Sequence, residues 1–442
     1  MELPHFDKLK GDSMLNIECL NLIITENCNF RCGYCYEKFS DCEEMSLEVI
    51  EQSIKFGLDN NTSNKFNVWL FGGEPLIRTD KLIHTINYAV ELNKKYDKEL
   101  TFDIFTNGSI YDPEFVKFLK DKNVRIQVSF DGVDGGQSER VTKIGEDTEQ
   151  LVLSNLKKYI EALGNIRVHT RASISPEVAK KKILCKTMSV LKSIGVRQTA
   201  FNPVQELYWD EESIKCLDED LEELEKSYEG FYKDMIVGNF ISKSKVKGAL
   251  PCGAGTKFFA VSPSGDLFPC HTMYSDDKHK IIQSSEYYFK VGNVVSGIDE
   301  EKLLGFLTES GKLLCSKCDS GACNYCLAVH FRLKGILPDL RSNSCRVFQI
   351  IDKYAVKFEQ YLISSSSHDI EYYREIFNGF VLLKKSVLEL TNNRLSDVAS
   401  PTLYDLATLD LEGVNNNIAS AVLDILSIVQ TALVKKEEKL NV

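Results

Sequence analysis

Apolar positions in the first half of the chain alternate between two periods. Short apolar runs rich in β-branched and aromatic residues fall at Glu18–Thr25, Asn67–Phe71, Thr101–Phe105, Arg125–Phe130, Arg167–Ile174 and Arg197–Phe201, and each reads as a strand. Between them the period lengthens to that of an amphipathic helix, near Ser46–Gly57, Asp80–Lys95, Asp112–Lys120, Thr148–Ala162, Pro176–Ile194 and Asp210–Val237. Six strand–helix repeats predict an α/β fold with a parallel sheet and helices on its outer face. Right-handed crossovers wrap such a sheet into an open, partial barrel.

The pattern changes near Gly238–Pro251. From Cys252 to Cys345 the chain is loop-rich, with seven cysteines and a core that looks too sparse to hold without metal. From Arg346 onward it is cysteine-free and helical in pattern, with amphipathic stretches at Val381–Leu390 and Ile418–Val434 and a loop at Ser364–Ser367. The expected organisation is a lead-in over 1–16, a barrel over 17–240, a cysteine-rich domain over 241–347 and a helical extension over 348–442.

Composition then narrows the function. The 442 residues are 43% hydrophobic and 26% charged, which fits a large globular core. A net charge of −11 argues against a general nucleic-acid binder. The N-terminal segment has no signal-peptide pattern, and the stretch from Ile418 to Val434 carries a polar stripe, so neither export nor a membrane span is expected. In the cytoplasm so implied, 14 cysteines point to metal ligation ahead of disulfides.

The densest cysteine signal is Cys28-Asn-Phe-Arg-Cys32-Gly-Tyr-Cys35, directly after the first strand. Three thiolates on one tight loop hold three corners of a [4Fe–4S] cluster and leave one iron open to a ligand. A zinc loop is the plainer alternative. The C-x3-C-x2-C spacing, with Tyr34 before the third cysteine, resembles the signature of the radical S-adenosylmethionine enzymes. In that family the open iron is chelated by S-adenosylmethionine, and reductive cleavage yields a 5′-deoxyadenosyl radical that abstracts hydrogen from substrate. Phe71-Gly72-Gly73-Glu74-Pro75 resembles the family's GGEP motif, after the second strand. There the resemblance implies backbone approach to the methionine amine, with Glu74 accepting from its ammonium or shaping the loop. Asn107, Ser129 and Asp131, at the ends of the third and fourth strands, look like segments that line the cofactor pocket. Arg171 would pair with the methionine carboxylate together with Ser129, or form a structural ion pair. Asp131 would bond a ribose hydroxyl, or act as a turn residue.

Downstream, Cys252, Gly265, Cys270, Cys315-Ser-Lys-Cys318, Cys323-Asn-Tyr-Cys326 and Cys345 suggest a structural zinc site when read alone. Their order resembles the SPASM extension of radical S-adenosylmethionine enzymes, although the spacing around Cys323 and Cys326 is shorter than the family's. Carried over by position, Cys252, Cys270 and Cys326 would bind one auxiliary [4Fe–4S] cluster. Cys315, Cys318, Cys323 and Cys345 would close a second. The odd count leaves the first of these with a free iron for a substrate thiol, an electron relay or a structural role. Cys19 and Cys185 read as packing residues, and Cys42 as a spare ligand beside the first loop.

The resemblance implies a peptide or small-protein substrate, with a thioether or other crosslink, oxidation or epimerisation in a ribosomally made peptide as the outcome. It also implies an external electron donor such as flavodoxin or ferredoxin. With 27 residues before Cys28, no leader-binding domain is expected, which leaves room for a separate leader-binding protein. Anaerobic sulfatase maturation is an alternative. Members of that group place an Asp after the cysteine matching Cys270, where this chain has His271, a candidate base. A non-catalytic iron–sulfur protein is the alternative from another class.

Overall fold

A computed structural model describes residues 16–37, 42–227, 235–237, 252–278, 289–312, 326, 328–329, 331, 345–355 and 357. Its elements in chain order are β1 (Cys19–Thr25), β2 (Phe30–Cys32), α1 (Leu47–Asp59), β3 (Lys65–Gly72), α2 (Thr79–Asn93), β4 (Glu99–Thr106), α3 (Pro113–Leu119), β5 (Val124–Ser129), β6 (Arg140–Thr142), α4 (Glu149–Leu163) and β7 (Val168–Ile174). They continue with α5 (Pro176–Lys180), α6 (Leu184–Ser193), β8 (Gln198–Pro203), α7 (Glu211–Ser227), β9 (Ile236–Val237), β10 (Phe258–Val261), β11 (Asp266–Phe268), α8 (His271–Lys278), β12 (Gly292–Asn293), β13 (Gly297–Ile298) and α9 (Glu300–Lys312).

One sheet runs in the order β13-β12-β11-β10-β1-β3-β4-β5-β7-β8-β9. From β10 to β9 every neighbouring pair is parallel. This is the partial TIM-like barrel that the alternating pattern predicts. In β3 the alternation is explicit: Phe66, Val68 and Leu70 are fully buried under the helix layer, whereas Asn67, Trp69 and Phe71 face the lumen. Helix α1 packs so closely on this sheet that a Cβ on Gly57 would lie 2.5 Å from Phe66. Helix starts follow capping chemistry, with Ser46 accepting from Val49 N at 3.2 Å and Asp112 from Glu114 N at 2.9 Å.

Two predicted helices differ. The helix expected over Pro176–Ile194 is broken, with Lys182 at φ 50° between α5 and α6. The break is stabilised from outside, because the carboxylate of Asp220 on α7 accepts from Leu184 N at 3.1 Å and caps α6. Of the helix expected over Asp210–Val237, Glu211–Ser227 is helical, whereas Ile236–Val237 pairs with β8 as a further parallel strand.

The segment after Cys252 adds apolar residues to the barrel sheet. Strand β10 lies beside β1, and Phe259, Ala260, Val261 and Leu267 are completely buried. Residues 345–355 are helical and pack on α7, where Tyr354 Oη donates to Asp218 O at 3.0 Å and Lys357 pairs with Glu225 at 2.7 Å. The loop at Ser364–Ser367 and the helices expected at Val381–Leu390 and Ile418–Val434 lie outside the described residues, as do Cys315, Cys318 and Cys323. No helix among the described residues is long and apolar enough to cross a membrane.

Candidate active site at the carboxyl edge of the barrel

The loop carrying Cys28, Cys32 and Cys35 leaves the carboxyl end of β1, the edge where barrel loops build active sites. It does not hang free. Its middle, β2, pairs antiparallel with β6 in a two-stranded sheet, with Cys32 opposite Arg140. The β3 turn braces its start: Gly73 N donates to Thr25 O at 2.8 Å and Glu74 N to Asn27 O at 2.9 Å. A Cβ on Gly72, at φ 137°, would sit 2.0 Å from Thr25 O, and one on Gly73 would sit 2.6 Å from Asn27 O. Both glycines are therefore required by the approach of two backbones, independent of any ligand.

Glu74 is fully buried and ties three segments together. It accepts from Leu76 N at 3.0 Å, Thr106 Oγ1 at 2.9 Å and Asn107 N at 2.6 Å. Burial pushes its carboxyl up to about 7 against these donors. Of the two roles its motif allows, the loop-shaping one is the one the geometry displays. Asn107 turns its amide toward the loop, donating to Asn29 Oδ1 at 2.8 Å and approaching Cys28 Sγ at 3.8 Å.

The three cysteines are free thiols and electrostatic neighbours of one another. Burial pushes Cys28 up to about 11 and Cys35 up to about 12, and raises Cys32 as well. Thiolates here need a bound cation, which the irons of a cluster provide. Phe30 N, 3.4 Å from Cys28 Sγ, adds the N–H···S contact that clusters use. No group of three or more His, Cys, Asp or Glu among the described residues is placed to bind a single metal ion. Three thiols on one loop, with Phe30 N–H beside Cys28 Sγ, are a donor set of the kind a cubane takes, one thiolate to each of three irons. The residues present fit a [4Fe–4S] cluster.

Beside the cysteines runs a buried polar chain. Arg140 donates to Tyr34 Oη at 2.8 Å, and that hydroxyl donates to Asp131. The other Asp131 oxygen accepts from Ser173 N at 2.7 Å. Burial raises Asp131 to about 6. Asp131 thus links Tyr34 to the end of β7, a tie that a simple turn residue does not make. Ser129 and Arg171 are opposite each other on β5 and β7 and face the lumen. With the Asn202 amide oxygen turned toward it, Arg171 donates to that side chain.

His271 also faces the lumen. Its Nδ1 lies 2.9 Å from Asn21 Nδ2, and its ring sits 4.5 Å from Phe71 and 5.9 Å from Tyr36. Burial, with Arg171 nearby, lowers its pKa to about 4, so the ring is neutral. Cys252, Cys270 and Cys326 are mutual electrostatic neighbours. Cys326 N donates to Gln205 Oε1 after β8 at 2.8 Å. Burial raises the pKa of Tyr36, and Glu37, Cys35 and Cys270 raise it further. Cys42, by contrast, places its thiol 3.7 Å from Glu26 O.

Residues missed by sequence reasoning are Arg140, Tyr36, Asn21 and Glu26. Glu26 is buried and accepts from Lys278 Nζ at 2.6 Å and from Tyr274, tying the cysteine loop to α8. The position of Tyr36 directly after Cys35 was the available signal; the others had none beyond their residue types.

Comparison with known proteins agrees with this geometry. Residues 22–178 match the model of the Radical SAM superfamily. Radical SAM cyclopropyl synthase TigE of Paramaledivibacter caminithermalis is 28% identical over 163 residues, which cover 32% of each chain. GTP 3′,8-cyclase of Aliarcobacter butzleri is 27% identical over 145 residues, 32% of this chain and 42% of that one. The chain thus spans well under two thirds of either relative. Among solved structures, native anSMEcpe with bound AdoMet aligns with a TM-score of 0.53 at 16% identity, over 74% of this chain and 99% of that one. Streptococcus suis SuiB bound to S-adenosylmethionine aligns at 0.50 and 13% identity, over 73% and 74%. These likenesses establish the fold.

Proposed function

We propose that this radical SAM chain modifies a peptide or small protein. The observation that carries the reading is the three-cysteine loop at the barrel edge, clamped by Gly72, Gly73 and Glu74 on the lumen side that also carries Ser129, Arg171 and His271. When bound, the [4Fe–4S] cluster and S-adenosylmethionine supply a one-electron cleavage and a 5′-deoxyadenosyl radical for hydrogen abstraction. Cys28, Cys32 and Cys35 hold that cluster. Tyr34, Gly72, Gly73, Glu74, Asn107, Ser129, Asp131 and Arg171 frame the cofactor pocket. Arg171 is a lumen-facing cation available to a carboxylate there, and Asp131 accepts from Tyr34. His271, neutral and lumen-facing, is the candidate substrate contact; with Nδ1 accepting from Asn21 it presents Nε2–H as a donor, and acting as the candidate base requires release of that bond. Cys252, Cys270 and Cys326 hold an auxiliary cluster, and Cys315, Cys318, Cys323 and Cys345 a second.

The peptide reading draws on how far each likeness extends. The cyclase identity covers 32% of this chain, whereas the anSMEcpe fold likeness covers 74%. That protein is solved with AdoMet and a Cp18Cys peptide. An external one-electron donor completes the reaction. The test is anaerobic reconstitution followed by reduction with S-adenosylmethionine and peptides encoded beside the gene. Three clusters predict about 12 irons per chain. The expected products are 5′-deoxyadenosine and a peptide that has lost a hydrogen pair, for a crosslink, or gained solvent deuterium, for epimerisation. A fully loaded chain that forms no 5′-deoxyadenosine would refute the reading.

A further inference from the structure

We infer that Arg140 is a positioning residue that holds a permanent positive charge against Cys32 and so raises the reduction potential of the cluster on this loop. The inference rests on the reading that Cys28, Cys32 and Cys35 hold a [4Fe–4S] cluster.

Backbone register is the first support. Cys32 and Arg140 are directly opposed in the β2–β6 ladder, so their side chains leave the same face of the two-stranded sheet. Two further bonds fix this register: Gly33 N donates to Glu139 O at 2.8 Å, and Thr148 Oγ1 donates to Arg140 O at 2.6 Å.

The state of the guanidinium is the second. Arg140 is 7% exposed, and among the described residues its side chain bonds Tyr34 and no carboxylate. Its single side-chain hydrogen bond runs to Tyr34, and its Nε is buried without a partner. A guanidinium keeps its charge even in a site so buried, and the anionic groups around this one favour the cation further. The anionic groups that face it are Cys32, Asp131 and Glu74, with Tyr34 between Arg140 and Asp131. Glu139, the preceding residue, acts electrostatically on Cys32 and Asp131. The Tyr34 hydroxyl thus separates Arg140 from its nearest compensating carboxylate, and the charge stays directed at the cysteine loop.

Reduction brings one electron from an external donor and no proton, so negative charge at Cys32 and its partners increases by one. A buried cation stabilises that state more than the oxidised one, because the surroundings screen it weakly. Net charge and burial are among the factors that set cluster potentials.

The test is a redox titration of the reconstituted full chain, poised with dithionite and followed by electron paramagnetic resonance. The signal that changes on adding S-adenosylmethionine identifies the cluster. It is run well above pH 6, where Asp131 is ionised. Arg140→Met is expected to lower the midpoint potential, Arg140→Lys to leave it near the parent value, and Asp131→Asn to raise it. Met and Asn variants that keep the cluster at the parent potential would overturn the inference, as would a Lys variant displaced as far as Met. If Arg140→Met does not fold, Arg140→Gln, which keeps a donor for Tyr34 and removes the charge, decides: a downward shift supports the inference and no shift overturns it. A parent chain with no S-adenosylmethionine-responsive signal would instead remove the cluster reading.

Discussion

Asn21 and His271 are 250 positions apart in the chain, yet their side chains meet at 2.9 Å inside the barrel. The Asn21 amide donates, so the ring accepts at Nδ1 and carries its proton on Nε2. This ties the residue after Cys270 to the first strand. Asn21→Ala leaves Nδ1 buried without a donor, at a cost of about 1–3 kcal/mol. The expected result is a lower thermal midpoint and less peptide modification, with 5′-deoxyadenosine formation retained. Equal loss of both activities would place His271 in cofactor binding.

Lys278 reaches a completely buried carboxylate on Glu26. Lys278→Ala strands that charge and should cost about 3–5 kcal/mol, whereas changing Glu26→Gln and Lys278→Met together should cost less. Denaturant unfolding of the two single variants and the pair measures the coupling. Additive losses would show that the contact is not an ion pair in solution.

Gly73→Ala forces a methyl to within 2.6 Å of the Asn27 and Glu26 carbonyls. The turn cannot close on the cysteine loop without shifting it, and overpacking of this kind costs about 1–3 kcal/mol. Iron content after reconstitution should fall along with stability. A variant that loads iron normally would mean that the loop tolerates displacement.

Glu74 predicts a pH dependence of the metal-free chain. Its folded carboxyl titrates at about 7 against 4.5 unfolded, so the folded state binds more protons between those values. Its contribution is fully present below pH 4.5 and is lost as pH rises through 7. The full change is on the order of 3 kcal/mol. Unfolding midpoints should fall over that window, and Glu74→Gln should flatten the slope. His169 and His271, each lowered to about 4 by burial, act oppositely between pH 4 and 6.5, while Glu37, raised by burial to about 8, adds in the same direction, so the Glu74 share is the part of the slope above 6.5 that Glu74→Gln removes.

The strand and helix alternation was legible because one face of each strand packs under helices, and that imposes a period on the sequence. Cys28, Cys32, Cys35 and the Gly72–Glu74 turn were legible because their chemistry demands particular residues at particular spacings. Arg140 was not: it lies over 100 positions from Cys32, and only the β2–β6 pairing joins them. The split at Lys182 was hidden for a similar reason, since the cap that stabilises α6 comes from Asp220 on another helix. The run Phe258–Val261 is buried throughout, so it carries no alternation to identify it as a strand.

That last strand governs the order of events during synthesis. β1 pairs with β3 on one side and β10 on the other, so its outer edge has no partner until residue 258 has left the ribosome. Glu26 likewise lacks its Lys278 partner until twenty residues later still. The loop between them is built first and braced last. Iron delivered to a nascent chain would meet a half-supported loop beside an open strand edge, the kind of edge that other chains pair with. Cluster loading is therefore expected after translation, and a chain truncated before β10 should aggregate rather than bind iron.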